Sequence, residues 1–156
     1  MSTIYLDNAA TTKVREEIVD TISSIIKNEY GNPSSTHSYG RSSKSLIESS
    51  RKEIADILNV KTSEIIFTSG GTEGDNMIIR NCVNNLGVSH VITTKIEHHA
   101  VTHTIDDLIK SNNIKVSYVK VSESGDVDLN DLEKILKRSD EKSLVSLMHI
   151  NNEIGN

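Results

Sequence analysis

The sequence predicts an α/β fold built on a mainly parallel sheet with crossover helices, and three observations carry that prediction. Short apolar runs rich in β-branched residues alternate with stretches whose apolar residues recur at helical spacing. Successive runs lie about 20 residues or more apart, enough for a helix to cross over and return the chain to a parallel strand. The segments after three of these runs are rich in Gly, His or Asn. In open α/β sheets, ligands bind outside the carboxyl ends of the strands.

The elements follow in order. The first 13 residues read as an extended N-terminal segment. Val14, Ile18, Ile22, Ile25 and Ile26 recur at helical spacing, with Thr12 a candidate N-cap and Gly31 just past the end. Gly31-Asn32-Pro33-Ser34-Ser35 has loop composition and holds the single proline. A second amphipathic helix carries Leu46, Ile47, Ile54, Ile57 and Leu58. Ile65 to Thr68 reads as the first strand, followed by a helix with Ile78, Ile79, Cys82, Val83 and Leu86 that Gly87 stops. Val91 to Thr93 is the second strand, and Val101, Ile105, Leu108 and Ile109 mark the next helix. Lys115 to Val121 is the third strand. A helix through Leu132, Ile135 and Leu136 follows, with Asp128 as N-cap, and Leu144 to Met148 is the fourth strand.

Composition bounds the function classes. The chain has 156 residues and a formal net charge of −5, which argues against a nucleic-acid module, since phosphate binding favours a basic face. Four Tyr, one Phe and no Trp leave an aliphatic core. One cysteine excludes an intramolecular disulfide and any CxxC motif. No apolar run approaches the roughly 20 residues of a membrane span, and the N-terminus lacks the pattern of a signal peptide. The expectation is a soluble cytoplasmic protein.

Three strand-end segments hold the candidate chemistry. Ser69-Gly70-Gly71-Thr72-Glu73 joins a strand to a helix, where two glycines allow close backbone approach and the helix start offers unpaired N–H groups. A phosphate suits this turn, with the Thr72 hydroxyl as an added donor. The plainer reading is a tight βα turn in which Thr72 caps the helix. The pattern is neither GxGxxG nor a P-loop, so it does not favour a dinucleotide or nucleoside triphosphate. Glu97-His98-His99-Ala100 places an imidazole at a strand end, for acid–base work, for stacking on a flat ligand, or simply for capping. His99 and His103 are four apart, but the HExxH order and a third ligand are lacking, so no metal is assigned. Asn151-Asn152-Glu153 suits a polar ligand, and equally a turn. Cys82 falls on an apolar helix stripe and reads as a core residue.

Taken together, these motifs resemble those of the cysteine desulfurases of the NifS/IscS-like group, class V aminotransferase relatives that use pyridoxal 5'-phosphate (PLP). The resemblance is colinear from Tyr5-Leu6-Asp7-Asn8-Ala9-Ala10-Thr11-Thr12, through Gly31 to Ser35 with His37, Thr68 to Glu73 with Asp75-Asn76, and Glu97-His98 with Ala100-Val101. It closes with Met148-His149-Ile150-Asn151-Asn152-Glu153-Ile154-Gly155. It implies an aminotransferase-like (PLP fold type I) large domain. Gly71 and Thr72 match the positions that hold the cofactor phosphate. His98 matches the catalytic histidine that stacks on the ring and takes part in proton transfer. Asn152 matches the asparagine that hydrogen-bonds the ring hydroxyl oxygen. The implied reaction takes sulfur from L-cysteine, giving L-alanine and an enzyme persulfide. That sulfur then passes to an iron–sulfur scaffold or thiolation partner, and the implied assembly is a homodimer.

The resemblance also implies residues not found here. The family's Schiff-base lysine, its pyridinium-pairing aspartate and its persulfide cysteine lie downstream of the Asn-Asn-Glu motif. None of the 12 lysines has a matching context, and Cys82 does not match the persulfide cysteine. Residues 1–156 are therefore expected to form an incomplete PLP-dependent transferase domain, holding the first four strands after residue 13 and inactive alone. In that fold Ile65 to Thr68 is separated from the other three strands, so here it is expected to lack close sheet partners. Leu144 to Met148 is expected to form an exposed apolar edge. Three alternatives remain: another class V enzyme such as a selenocysteine lyase or aminotransferase, a non-catalytic domain that binds an anion or partner, and a metal hydrolase.

Overall fold

The computed structural model describes residues 3–156 other than Asn113. The chain divides into two units, one running to Phe67 and the other Thr68–Asn156.

The first unit holds helices α1 (Glu16–Asn28) and α2 (Ser38–Leu58) and a short 3₁₀ turn, Thr62–Glu64. The segment before α1 is not uniformly extended. It turns over residues 8–10, where the N–H groups of Ala10 and Thr11 both donate to Asp7 O. Thr12 is not the cap of α1. The helix starts three residues later, with Arg15 at the N-cap and no side-chain hydrogen bond there. Glu16 and Glu17 sit in that first turn, where they complement the positive end of the helix dipole. His37 caps α2 instead of a hydroxyl residue, its Nδ1 accepting from Gly40 N–H at 3.3 Å. Gly31 and Gly40 mark a backbone-to-backbone crossing: a Cβ on Gly31 would strike the Tyr39 carbonyl, and one on Gly40 the carbonyls of Asn32 and Ser35. The Gly31–Ser35 loop is thus folded onto the start of α2.

Ile65 to Thr68, the expected first strand, pairs with no other strand among the described residues. A strand is stable only when a neighbour takes its backbone polar groups. Here Arg51 meets part of that need: Nη1 donates to Ile65 O at 2.6 Å and the guanidinium lies 4.7 Å from the centre of the Phe67 ring.

The second unit carries a three-stranded parallel sheet of β1 (His90–Thr93), β2 (Lys115–Tyr118) and β3 (Ser143–Val145), in the order β2-β1-β3. Helices α3 (Gly71–Leu86), α4 (His99–Asn112) and α5 (Leu129–Lys137) complete it. The described strands therefore number three, not four. Val91 pairs in register with Val116 on one side and Leu144 on the other. Residues paired this way share a sheet face. Ile79 of α3 and Val101, Ile105 and Leu108 of α4 pack on these residues, joined by Val88 and Ile114, with Cys82 and Val83 against the same cluster. All four β1 residues are buried, as befits the central strand. The β3 edge is less exposed than expected: Leu144, Leu147 and Met148 are half-buried, and Val145 is the residue most open to solvent. Gly87, with φ 71°, ends α3 in the left-handed region, as its place after Leu86 predicts. Asp128 caps α5, accepting from Asn130 N–H at 3.0 Å and Asp131 N–H at 3.1 Å.

Candidate functional site

The site is built from the start of α3 and the segments that follow β1 and β3, all within the second unit. At α3 the N-cap is Gly70, and the first intrahelical bond runs from Gly74 N–H to Gly70 O at 3.1 Å. The N–H groups of Gly71, Thr72 and Glu73 precede that bond, so no carbonyl of the helix can receive them. Thr72 lies in the first turn and is not the cap, which corrects the plainer reading of this motif. Nothing lies within 4 Å of a Cβ built on Gly70 or Gly71, so the turn has open space on that side. Glu73 folds back to accept from Ser69 N–H at 2.5 Å. That backbone hydrogen bond holds its carboxyl below the usual carboxylate range.

His98 starts α4. Its carbonyl accepts from Val101 N–H at 2.9 Å, and its Nδ1 accepts from Ala100 N–H at 3.1 Å. With Nδ1 used as an acceptor, a neutral His98 ring carries its proton on Nε2. The imidazole is exposed. So the capping role is real, and it fixes the tautomer that faces outward.

Two clefts meet at this residue. One, of about 260 Å³, is lined by Thr72, Asn76, Arg80, His98, His99 and His103, among others. The other, of about 200 Å³, is lined by His98, His99, Met148 and Asn152, among others. Thr72 and Asn152 do not share a cleft, but each shares one with His98. Of the predicted residues, Thr72 lines the first cleft, Asn152 the second and His98 both, as does its neighbour His99, whereas Gly71 lines neither. His99 and His103 stack with ring centres 5.0 Å apart, and among the described residues no third side chain joins them as a metal ligand.

The side chains that brace the clefts are less visible in the sequence. Asn76 Nδ2 donates to Thr72 O at 2.9 Å and accepts, through Oδ1, from Arg80 Nε at 3.2 Å. Arg80 Nη1 in turn donates to Asp107 Oδ2 at 2.8 Å, joining α3 to α4. Asn151 is buried and Asn152 exposed, so the two amides of one motif divide the work. Asn151 Oδ1 accepts from the N–H groups of Glu153 and Ile154 at 2.9 and 3.2 Å, an Asx turn that Asn-rich composition signals. The i, i+4 spacing of Asn76 to Thr72 and to Arg80 is the corresponding signal on α3.

The donor set fits the phosphate of a flat cofactor: backbone N–H groups and a hydroxyl at a helix start, an outward imidazole, and an amide beyond it. The family profile described as aminotransferase class-V matches residues 4–156. A cysteine desulfurase IscS of Dictyoglomus turgidum is 44% identical over 154 residues, covering 97% of this chain and 38% of that relative. Among solved structures, a NifS-like protein matches with a TM-score of 0.84 at 38% identity, over 95% of this chain and 40% of the other. Another, SspA in complex with cysteine, matches with a TM-score of 0.84 at 29% identity, over 97% of this chain and 43% of the other. The chain thus spans less than half the length of the relatives it matches.

Proposed function

The chain belongs to the aminotransferase class-V family, and from that membership we propose that it supplies part of the cofactor site of a PLP-dependent cysteine desulfurase. The observation that carries the proposal is the placement of His98 between the Thr72 cleft and the Asn152 cleft. The N–H groups of Gly71 and Thr72, the Thr72 hydroxyl and the α3 dipole bind the phosphate. Asn152 donates to the ring hydroxyl oxygen. His98 stacks on the ring and holds a transferable proton at Nε2. The bound cofactor supplies the electron sink that makes the carbon–sulfur bond of L-cysteine breakable.

The proposed reaction balances as one thiol plus L-cysteine giving one persulfide plus L-alanine. The carbon–sulfur bond breaks, a sulfur–sulfur bond forms, and the substrate carbon gains a proton. The thiol is not that of Cys82, whose side chain packs against the apolar cluster between α3 and the sheet. None of the chain's lysines matches the context of the family's Schiff-base lysine. The sulfur then goes to an acceptor such as an iron–sulfur scaffold, in the cytoplasm, from a homodimeric enzyme whose large domain includes these residues. The IscS name of the Dictyoglomus turgidum relative and the cysteine held by SspA in its complex support this reading over other class V reactions.

The test is a titration of the purified protein with PLP, followed by its visible absorbance, for the wild type and for Thr72→Ala, His98→Ala and Asn152→Ala. Each substitution is expected to weaken binding, and the 156-residue chain is expected to form no alanine from L-cysteine. Unchanged affinity in all three variants, or sustained alanine production by this chain, would overturn the proposal.

A further inference from the structure

Glu97 precedes His98, but its carboxylate is engaged elsewhere. Oε1 accepts from the Thr94 hydroxyl at 2.7 Å and from the Met148 N–H at 3.1 Å. Thr94 is fully buried, and its Oγ1 also accepts from Ile96 N–H at 3.4 Å. The partner at Met148 lies on the segment that leads to Asn152. A second link joins the same two segments, because Asn151 Nδ2 donates to Ile96 O at 2.9 Å. The segment after β1 and the segment after β3 are therefore tied twice, at Glu97–Met148 and at Ile96–Asn151.

We infer that Glu97 is a positioning residue that sets His98, on the face of a flat ligand, relative to Asn152 at the edge of its ring. This rests on the cofactor reading above. A carboxylate that accepts from a buried hydroxyl and a backbone N–H makes charge-assisted bonds, which are stronger than neutral ones. Removing it leaves the Met148 N–H and the Thr94 hydroxyl without that partner and releases one of the two ties. The turn at Gly71 and Thr72 makes no bond to Glu97; it is held by Asn76, which donates to Thr72 O at 2.9 Å and to Ala100 O at 3.5 Å and is independent of Glu97. Loss of Glu97 is thus selective: it disturbs the ring end of the site and spares the phosphate end.

The experiment compares wild type, Glu97→Ala and Glu97→Gln in three measurements: affinity for PLP, affinity for inorganic phosphate, and hydrogen exchange at the Met148 amide. Glu97→Ala is expected to weaken PLP binding roughly tenfold, the scale of one charge-assisted hydrogen bond, and to speed Met148 exchange about as much. Inorganic phosphate binding stays unchanged. Glu97→Gln, which keeps an oxygen acceptor, restores most of both losses. Equal weakening of phosphate and PLP, unchanged Met148 exchange in Glu97→Ala, or a Glu97→Gln variant as impaired as Glu97→Ala would each overturn the inference. A wild type that binds no PLP would overturn the cofactor reading instead, and the Met148 exchange would still decide whether Glu97 ties the two segments.

Discussion

His90 Nε2 lies 2.8 Å from Ser117 Oγ, across the β1–β2 pairing at the opposite end of β1 from the candidate site. Its Nδ1 lies 2.9 Å from Ser139 Oγ and 3.2 Å from Ser143 Oγ, so a fully buried imidazole is bound on both nitrogens by hydroxyls. Burial lowers its pKa from the ordinary 6.5, and the Lys115 ammonium pushes the same way, while Glu141 opposes both. A histidine whose folded pKa is depressed favours the fold when neutral. Its contribution is complete above the unfolded value near 6.5 and is lost as pH falls through the folded value. Urea unfolding is therefore expected to show falling stability from pH 7 towards pH 5. In His90→Gln that part of the slope should disappear, and an unchanged slope would refute the assignment.

Asp128 Oδ1 satisfies two N–H groups at the start of α5. Asp128→Ala should cost about 1 kcal/mol in chemical denaturation, with an unchanged m value. Asp128→Asn keeps an acceptor and should recover most of the loss.

The turn before α3 separates folding from binding. Because a Cβ at Gly71 meets nothing within 4 Å, Gly71→Ala should change stability by less than about 0.5 kcal/mol. On the proposed cofactor reading, the same methyl would crowd a phosphate approaching the backbone there. Calorimetric titration with PLP is expected to show clear weakening in Gly71→Ala at unchanged thermal stability. Equal affinity would place the phosphate elsewhere.

Thr93 Oγ1 is buried and has no hydrogen-bond partner among the described residues. An unsatisfied buried hydroxyl is a cost, so Thr93→Val should be neutral or stabilising by up to about 1 kcal/mol. Ile105, fully buried in the apolar cluster, gives the contrast: Ile105→Ala should cost about 2–5 kcal/mol. Both are read from the same denaturation curves.

Much of this was legible in the chain because local rules operate over a few residues. Gly87 at the end of α3 and Asp128 at the start of α5 follow from backbone chemistry that needs no distant partner. Thr12 misled because the first turn of α1 carries its own acidic residues and begins at Glu16. Ile65 to Thr68 has strand composition, yet a strand is a relationship between two segments, and composition names only one of them. At the site, the motif residues Thr72, His98 and Asn152 stood out by type, whereas the tie from Glu97 to Met148 spans 51 residues and leaves no local trace.

The sequence by itself determined the alternation of helices and strands from α3 onward, the aliphatic core, the family and the residues at the strand ends. These depend on periodicity, capping and short motifs, which act between near neighbours. Only the tertiary structure decided that β1 is central, that Asn151 is buried while Asn152 is exposed, and that His98 lies where two clefts meet. Those outcomes depend on sheet order and on hydrogen bonds between distant segments. The physical reason is that burial and register are properties of pairs of segments brought together by packing, and no single segment encodes its partner.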